Sequence, residues 1–157
     1  MVAPTDLEVL ARLSAAVLFG GAIGLERDLR QMPTGFRTLA LVCLGSCVAV
    51  LAAIKAGDSD GFSRVAQGIV TGIGFLGAGV ILQREKLHDV KGLTTAAAIW
   101  LTAAIGLLCG LGELVTAAIT TALAVCVLLL DIVGERFWPT PDKSGASPPA
   151  PQSNKPE

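Results

Sequence analysis

The feature that most constrains this chain is a series of five apolar stretches, each close to the length of a bilayer-spanning helix. They cover residues 7–25, 38–54, 65–82, 93–111 and 114–133. A helix needs about 20 apolar residues to cross the hydrocarbon core of a bilayer. The five stretches leave little of the 157 residues for a water-soluble core. The sequence therefore predicts an all-α, polytopic membrane protein with five transmembrane helices.

The charge content agrees with a membrane protein and argues against a soluble domain and against a nucleic-acid-binding protein. Only 16% of the residues are charged, against about 25% in soluble domains. A net charge of -1 and the lack of a basic, aromatic patch predict no nucleic-acid partner. The first residues, MVAPTDLE, lack the basic region of a secretory signal. We therefore expect the first apolar stretch to remain as a membrane helix.

The basic residues predict how the helices are oriented. Nine of the twelve Lys and Arg residues follow the first, third or fifth apolar stretch. Basic loops are retained on the cytoplasmic side, so the N-terminus is predicted outside and the C-terminus in the cytoplasm. Residues 1–138 form the predicted transmembrane domain. Residues 139–157 hold six of the eight prolines and few apolar residues, and are predicted to be a disordered cytoplasmic tail.

The third stretch contains an unusual density of glycine in TGIGFLGAG, residues 71–79. A dinucleotide-binding loop with this spacing needs a preceding strand and an acidic residue about 20 positions later, and this sequence has neither. Gly72, Gly74, Gly77 and Gly79 remain to be explained, because such density weakens a helix. Either another helix packs against them, or the segment is irregular where protein or water surrounds it.

Glycine pairs in three of the stretches indicate close helix packing. Two glycines four residues apart let a neighbouring helix approach backbone to backbone. The pairs are Gly20 and Gly24, Gly68 and Gly72, and Gly106 and Gly110. The four cysteines also lie within apolar stretches, and we interpret them as small packing residues.

A set of polar residues is predicted to meet at the inner ends of the helices. Glu26 and Arg27 end the first stretch, Arg37 precedes the second, and Thr94 and Thr95 begin the fourth. Arg37 is predicted to clamp Glu26, and the threonines to donate to a carboxylate or to cap their own helix. The alternative is that the basic residues only anchor the protein to lipid headgroups. Glu26 argues against this alternative, since a carboxylate gains nothing from anionic lipid.

Arg12 is the one basic residue inside an apolar stretch near the opposite surface. A cation there is costly unless it pairs or reaches the interface. Glu8 lies one turn earlier, so the predicted arrangement is a Glu8–Arg12 pair at the outer interface. The sequence shows no nucleophile with a base and no set of zinc ligands. We therefore expect no enzymatic activity and no cofactor, and the sequence leaves metal binding open.

Several separated motifs together resemble the membrane domain of the MgtC/SapB family. They are GGAIGLERD (20–28), TGFRT (34–38), TGIGFLGAGVIL (71–82), VKGLTTAAAIW (90–100) and AAIG (103–106). The resemblance implies a multi-pass protein of the bacterial inner membrane that is associated with growth at low magnesium. It also implies that the polar residues above and the glycines of 72–79 are functional. Longer members carry a soluble C-terminal domain with no counterpart in these 157 residues, so an activity of that domain is not expected.

Two functions follow as hypotheses. The first is a regulator in the lipid bilayer whose inner polar residues bind other membrane proteins or sense a cation. The alternative is a small oligomeric ion transporter or channel, with the glycines of the third stretch lining a path. Homo-oligomerisation is left open by the sequence.

Overall fold

The structure, a computed structural model, describes residues 4–57, 60–82 and 92–137, with the backbone alone for residue 82 and residues 131–137. All regular structure in this part of the chain is α-helical. The helices are α1 Asp6–Leu29, α2 Phe36–Ala56, α3 Gly61–Leu82, α4 Leu93–Leu111 and α5 Leu114–Phe137. The predicted all-α architecture with five helices is thus confirmed.

The length and composition of the helices suit a bilayer. α1 to α4 are each long and apolar enough to cross a membrane, with mean hydropathies of 1.6, 2.3, 1.4 and 1.8. α5 is apolar from Leu114 to Leu130. These helices support a polytopic membrane protein. The orientation of its termini stays a prediction, and residues 139–157 lie outside the described part of the chain.

Local signals set where the helices begin and end. At the start of α1, the Glu8 amide donates to Thr5 Oγ1 at 3.3 Å, and the Thr5 amide donates to Glu8 Oε2 at 2.7 Å. This capping box satisfies two amides that a helix start leaves unpaired. α2 and α4 end at Gly57 (φ +69°) and Gly112 (φ +88°), in the left-handed conformation that favours glycine. Only two residues then separate α4 from α5, which form a helical hairpin.

α2 packs closely between α1 and α4, and α4 contacts all four of the other helices. On one side, a Cβ atom added to Gly20 would lie 2.6 Å from the Leu39 carbonyl oxygen. On the other side, a Cβ on Gly106 would lie 2.7 Å from Cβ of Ser46, and one on Gly110 would lie 2.6 Å from Cβ of Val50. Real Cβ atoms do not approach this closely, so the glycines permit these contacts. Close packing is confirmed for the glycine pairs of α1 and α4.

α3 occupies the periphery, against α4 and α2, and its glycines behave differently. The helix is continuous through all four glycines of 72–79, so the irregular segment considered from the sequence is not found. Gly77 packs on α4, where an added Cβ would lie 3.4 Å from Cβ of Ala96. Around Gly72, Gly74 and Gly79 no described atom lies within 4 Å of such a Cβ. The packing interpretation therefore holds for Gly77 within the described chain.

The centre of the bundle is apolar and well filled. Its fully buried side chains, at most 2% exposed, include Ile23, Leu39, Cys43, Cys47, Ile99, Ile105 and Cys109. Three of the four cysteines thus pack in this core, as expected, while Cys126 is exposed on α5.

Candidate functional site

Two charged residues are buried near the end of α1. Glu26 is 7% exposed and Arg27 is 3% exposed. Charged side chains are almost never buried this completely unless they are paired, because removing a charge from water costs several kcal/mol. The partners of these two residues therefore define the site. We call the end of the bundle where α1 and α5 finish and α2 and α4 begin the Glu26 end.

Arg27 links α1 to α4. Its Nη2 donates to the hydroxyl of Thr95, which lies in the first turn of α4 and is 2% exposed. A hydrogen bond to a charged group contributes about 1.5–3 kcal/mol, more than a bond between neutral groups. The pair therefore holds the start of α4 against the end of α1.

Glu26 and Arg30 link α1 to α5. They lie one turn apart on α1, and the Glu26 carboxylate contacts Nε of Arg30. Nη2 of Arg30 donates to the carbonyl of Leu128 on α5. Among the described residues, no other side chain pairs with the Glu26 carboxylate. Glu26, Arg27, Arg30 and Thr95 form one group, the polar cluster, which joins three helices at the Glu26 end.

The predicted clamp between Arg37 and Glu26 is wrong. Arg30 pairs with Glu26 instead; Arg37 is exposed in the first turn of α2 and lines a polar pocket of about 300 Å³ with Asp28 and Thr38. Sequence reasoning missed Arg30, although a Glu four residues before an Arg on a helix is a recognisable pairing signal.

Of the two threonines, only Thr95 enters the polar cluster. Thr94 is exposed and lines a groove between α4 and α5. The structure therefore brings Glu26, Arg27 and Thr95 together and places Arg37 and Thr94 beside them at the same end.

The connection between α1 and α2 is held by Asp28. Its Oδ2 accepts a hydrogen bond of 2.8 Å from the Phe36 amide, which satisfies one of the free amides at the start of α2. A Cβ on Gly35 would overlap the Asp28 carboxylate, so a larger residue there would have to displace the side chain that caps α2. Thr34 in the same connection is 5% exposed, and its hydroxyl has no hydrogen-bond partner among the described residues.

At the opposite end of the bundle, Arg12 joins α1 to α4. Its Nη1 donates to the Gly110 carbonyl at 2.8 Å, where the carbonyls that end α4 favour a positive charge. The described residues form no direct ion pair between Arg12 and Glu8, so that part of the prediction is wrong, and Arg12 acts on Glu8 only as a nearby charge. Glu8 instead caps the start of its own helix.

The chemistry of the polar cluster suits restraint of helices more than cation coordination. Hard cations such as Mg²⁺ prefer carboxylate and carbonyl oxygens, whereas the cluster holds two arginines and one carboxylate. The described residues also contain no group of three His, Cys, Asp or Glu side chains able to hold a metal ion.

Five packed helices, four of them able to span a bilayer, and a buried polar cluster at one end define a polytopic helical membrane protein. The family model described as MgtC family matches residues 13–136. The chain belongs to the MgtC family, as its motifs indicated.

Individual relatives give the same result. The chain is 48% identical over 122 residues to Protein MgtC of Salmonella typhimurium, which covers 77% of this chain and 51% of the relative. It is 45% identical over 118 residues to Protein MgtC of Brucella abortus, covering 74% and 48%. An uncharacterized protein of Haemophilus influenzae is 36% identical over 143 residues, covering 85% and 60%. The chain thus spans about half the length of the MgtC relatives. No solved structure gives a significant match.

Proposed function

We propose that this chain regulates other membrane proteins from the bacterial inner membrane, in a role linked to growth at limiting magnesium. Membership of the family supports the magnesium link and the inner-membrane location, and the geometry of the site supports the regulatory role. The proposal includes no enzymatic activity and no cofactor. A small oligomeric ion transporter or channel is the second candidate.

The observation that carries the proposal is the buried hydrogen bond between Arg27 and Thr95. Ionisable residues within membrane helices are costly, and they usually mark functional positions. Here the polar cluster holds α1, α4 and α5 in one arrangement, with exposed Arg37 and Thr94 beside it. A rigid surface with exposed polar groups suits recognition of a protein partner.

The packing of the bundle favours a regulator over a transporter. An ion path needs a continuous line of polar groups along the bundle. The described core between the two ends is mostly apolar, with side chains such as Ile99 and Ile105, and its buried polar side chains are the hydroxyls of Ser46, Thr102 and Thr121. The buried hydroxyl of Thr102 donates to its own helix, to the Ala98 carbonyl at 2.7 Å. The glycines of α3 lie at the periphery of this bundle, and only in an oligomer could they line a path.

The test compares two buried threonines of α4. A strain lacking the gene would be grown at limiting magnesium and complemented with wild type, Thr95→Val or Thr102→Val at matched membrane abundance. Thr95→Val removes the hydroxyl that accepts from Nη2 of Arg27, whereas Thr102→Val removes only a bond within α4. We expect Thr102→Val to rescue growth like wild type and Thr95→Val to rescue poorly. Glu26→Gln should resemble Thr95→Val.

Three results would contradict parts of the proposal. Equal rescue by all variants would show that the polar cluster is not functional. Normal growth of the deletion strain would remove the magnesium link. Magnesium flux into liposomes that contain only this protein would favour the transporter, whereas co-purification of a membrane protein with wild type but not with Thr95→Val would support the regulator.

A further inference from the structure

An apolar groove of about 270 Å³ runs between α4 and α5, and Ile23 of α1 forms part of its lining. Its walls include Leu101 on α4 and Leu123 and Val127 on α5. Between Thr94 and Leu101 the groove follows α4 for about 10 Å, at 1.5 Å per residue. It begins at the Glu26 end and reaches the middle of the helices.

This groove contrasts with the other contacts in the bundle. Where α1 and α4 meet α2, there is no room even for a Cβ atom on the glycines. Apolar cavities in proteins bind apolar ligands: an engineered cavity of about 150 Å³, smaller than this groove, binds benzene. In a bilayer, the apolar molecule at hand is a lipid acyl chain.

The groove leads to a positive charge. Leu128 lines it, and the Leu128 carbonyl accepts the hydrogen bond from Nη2 of Arg30. Ile23 and Arg30 are seven residues apart and so lie on the same face of α1. Nε of Arg30 contacts Glu26, while its Nη1 donates no hydrogen bond to a described residue. Within the described residues, one guanidinium nitrogen is therefore left to bind an anion.

The start of α4 is a second feature that favours an anionic group at this end of the groove. Its N-cap residue, Gly92, supplies no side-chain hydrogen bond to the first amides of the helix. The N-terminus of a helix carries a partial positive charge, which favours a phosphate group. An apolar groove that ends at an arginine and a helix N-terminus matches a molecule with an acyl chain and an anionic phosphate.

We propose that the groove binds one anionic phospholipid from the leaflet at the Glu26 end. An acyl chain lies between α4 and α5, and the phosphate lies at Arg30. This site goes beyond the regulatory role and does not depend on it.

The test uses the full chain, purified in a neutral detergent and titrated with phosphatidylglycerol or phosphatidylcholine in native mass spectrometry. Ala97→Phe fills the groove from α4; its control, Ala22→Phe, enlarges an exposed alanine of α1 outside the groove. Arg30→Gln removes the charge at the groove; its control, Arg12→Gln, removes a helix-bound arginine at the opposite end.

We expect wild type and both controls to bind one phosphatidylglycerol in preference to phosphatidylcholine, and Ala97→Phe to lose that lipid. Phosphatidylglycerol should bind Arg30→Gln about fivefold more weakly, the factor given by about 1 kcal/mol per basic side chain at an anionic lipid surface. Ala97→Phe leaves the polar cluster unchanged, so it tests the groove even if Arg30→Gln does not fold.

Three outcomes would overturn the site. Equal binding by Ala97→Phe and wild type would place the lipid elsewhere. If phosphatidylglycerol and phosphatidylcholine bind with equal affinity, and Arg30→Gln does not change either affinity, the site does not recognise the headgroup. Loss of a protein dimer in Ala97→Phe, with lipid binding unchanged, would mean that the groove holds a second copy. The growth experiment at limiting magnesium does not enter this measurement, so the two proposals can fail separately.

Discussion

Arg27 and Thr95 lie 68 residues apart in the sequence, yet Nη2 of the arginine donates to Oγ1 of the threonine in a site where both side chains are almost fully buried. The bond connects the end of one apolar helix with the start of another. It lies beside the Glu26–Arg30 pair, which reaches α5. Much of the arrangement of helices at this end depends on these two contacts.

Replacing Thr95 with valine should destabilise the protein by about 1.5–3 kcal/mol, because the hydrogen bond from the buried Arg27 to the Thr95 hydroxyl is lost while the side-chain shape is kept. Thr102→Val on the same helix should cost less, because its hydroxyl donates only to a carbonyl one turn earlier. The free energies of unfolding in detergent micelles would be compared. Equal losses for the two variants would show that the Arg27 bond adds no stability.

Replacing one member of the Glu26–Arg30 pair should destabilise the protein more than expected from replacing both members together. Arg30→Gln leaves a buried carboxylate without its ion-pair partner, at a cost of about 3 kcal/mol or more. The double variant Glu26→Gln with Arg30→Gln should be less destabilised than the sum of the single variants. A double-mutant cycle from unfolding in micelles measures this coupling. Strict additivity would show that the two side chains do not interact.

Gly106→Ala should destabilise the bundle, because its Cβ would lie 2.7 Å from Cβ of Ser46 and overpacking costs about 1–3 kcal/mol. Gly72→Ala is the matched control on α3, where no described atom lies within 4 Å of the added Cβ. That change should be neutral or stabilise by up to about 1 kcal/mol through helix propensity. Melting temperatures in micelles compare the two variants. Destabilisation by Gly72→Ala would reveal a neighbour that covers this face.

Arg12→Gln should destabilise the protein by about 1–2 kcal/mol, since the Gly110 carbonyl loses a charged donor at the end of α4. Glu8→Gln should weaken only the start of α1, because Glu8 acts in the capping box. Without an ion pair between them, the effects of the two substitutions should add. The free energies of unfolding of both single variants and the double variant in micelles test this additivity. Marked non-additivity would show that Glu8 and Arg12 interact directly, as predicted from the sequence.

The helices and their environment were predictable from the sequence because both are local properties. The length of an apolar stretch decides whether it can span a bilayer. α1 begins one residue before the predicted stretch 7–25, where Thr5 and Glu8 form a cap, and continues through the charged residues 26–28 to Leu29. Close helix packing at the glycine pairs of α1 and α4 could also be predicted from the sequence, since two glycines four residues apart create a flat helix face. The same spacing in α3 could not show that Gly68 and Gly72 would have no neighbour in the described bundle.

A polytopic, all-helical membrane protein of the MgtC family could be predicted from the sequence, because apolar length, helix caps and motifs lie in consecutive residues. The partners of the charged side chains could not be predicted in this way and are seen only in the folded bundle: Arg30 with Glu26, Arg27 with Thr95, and Arg12 with Gly110. Arg37 and Glu8 were equally reasonable partners in sequence. The choice depends on how the helices are rotated and placed against one another, and that follows from the close packing of their small residues across the whole bundle.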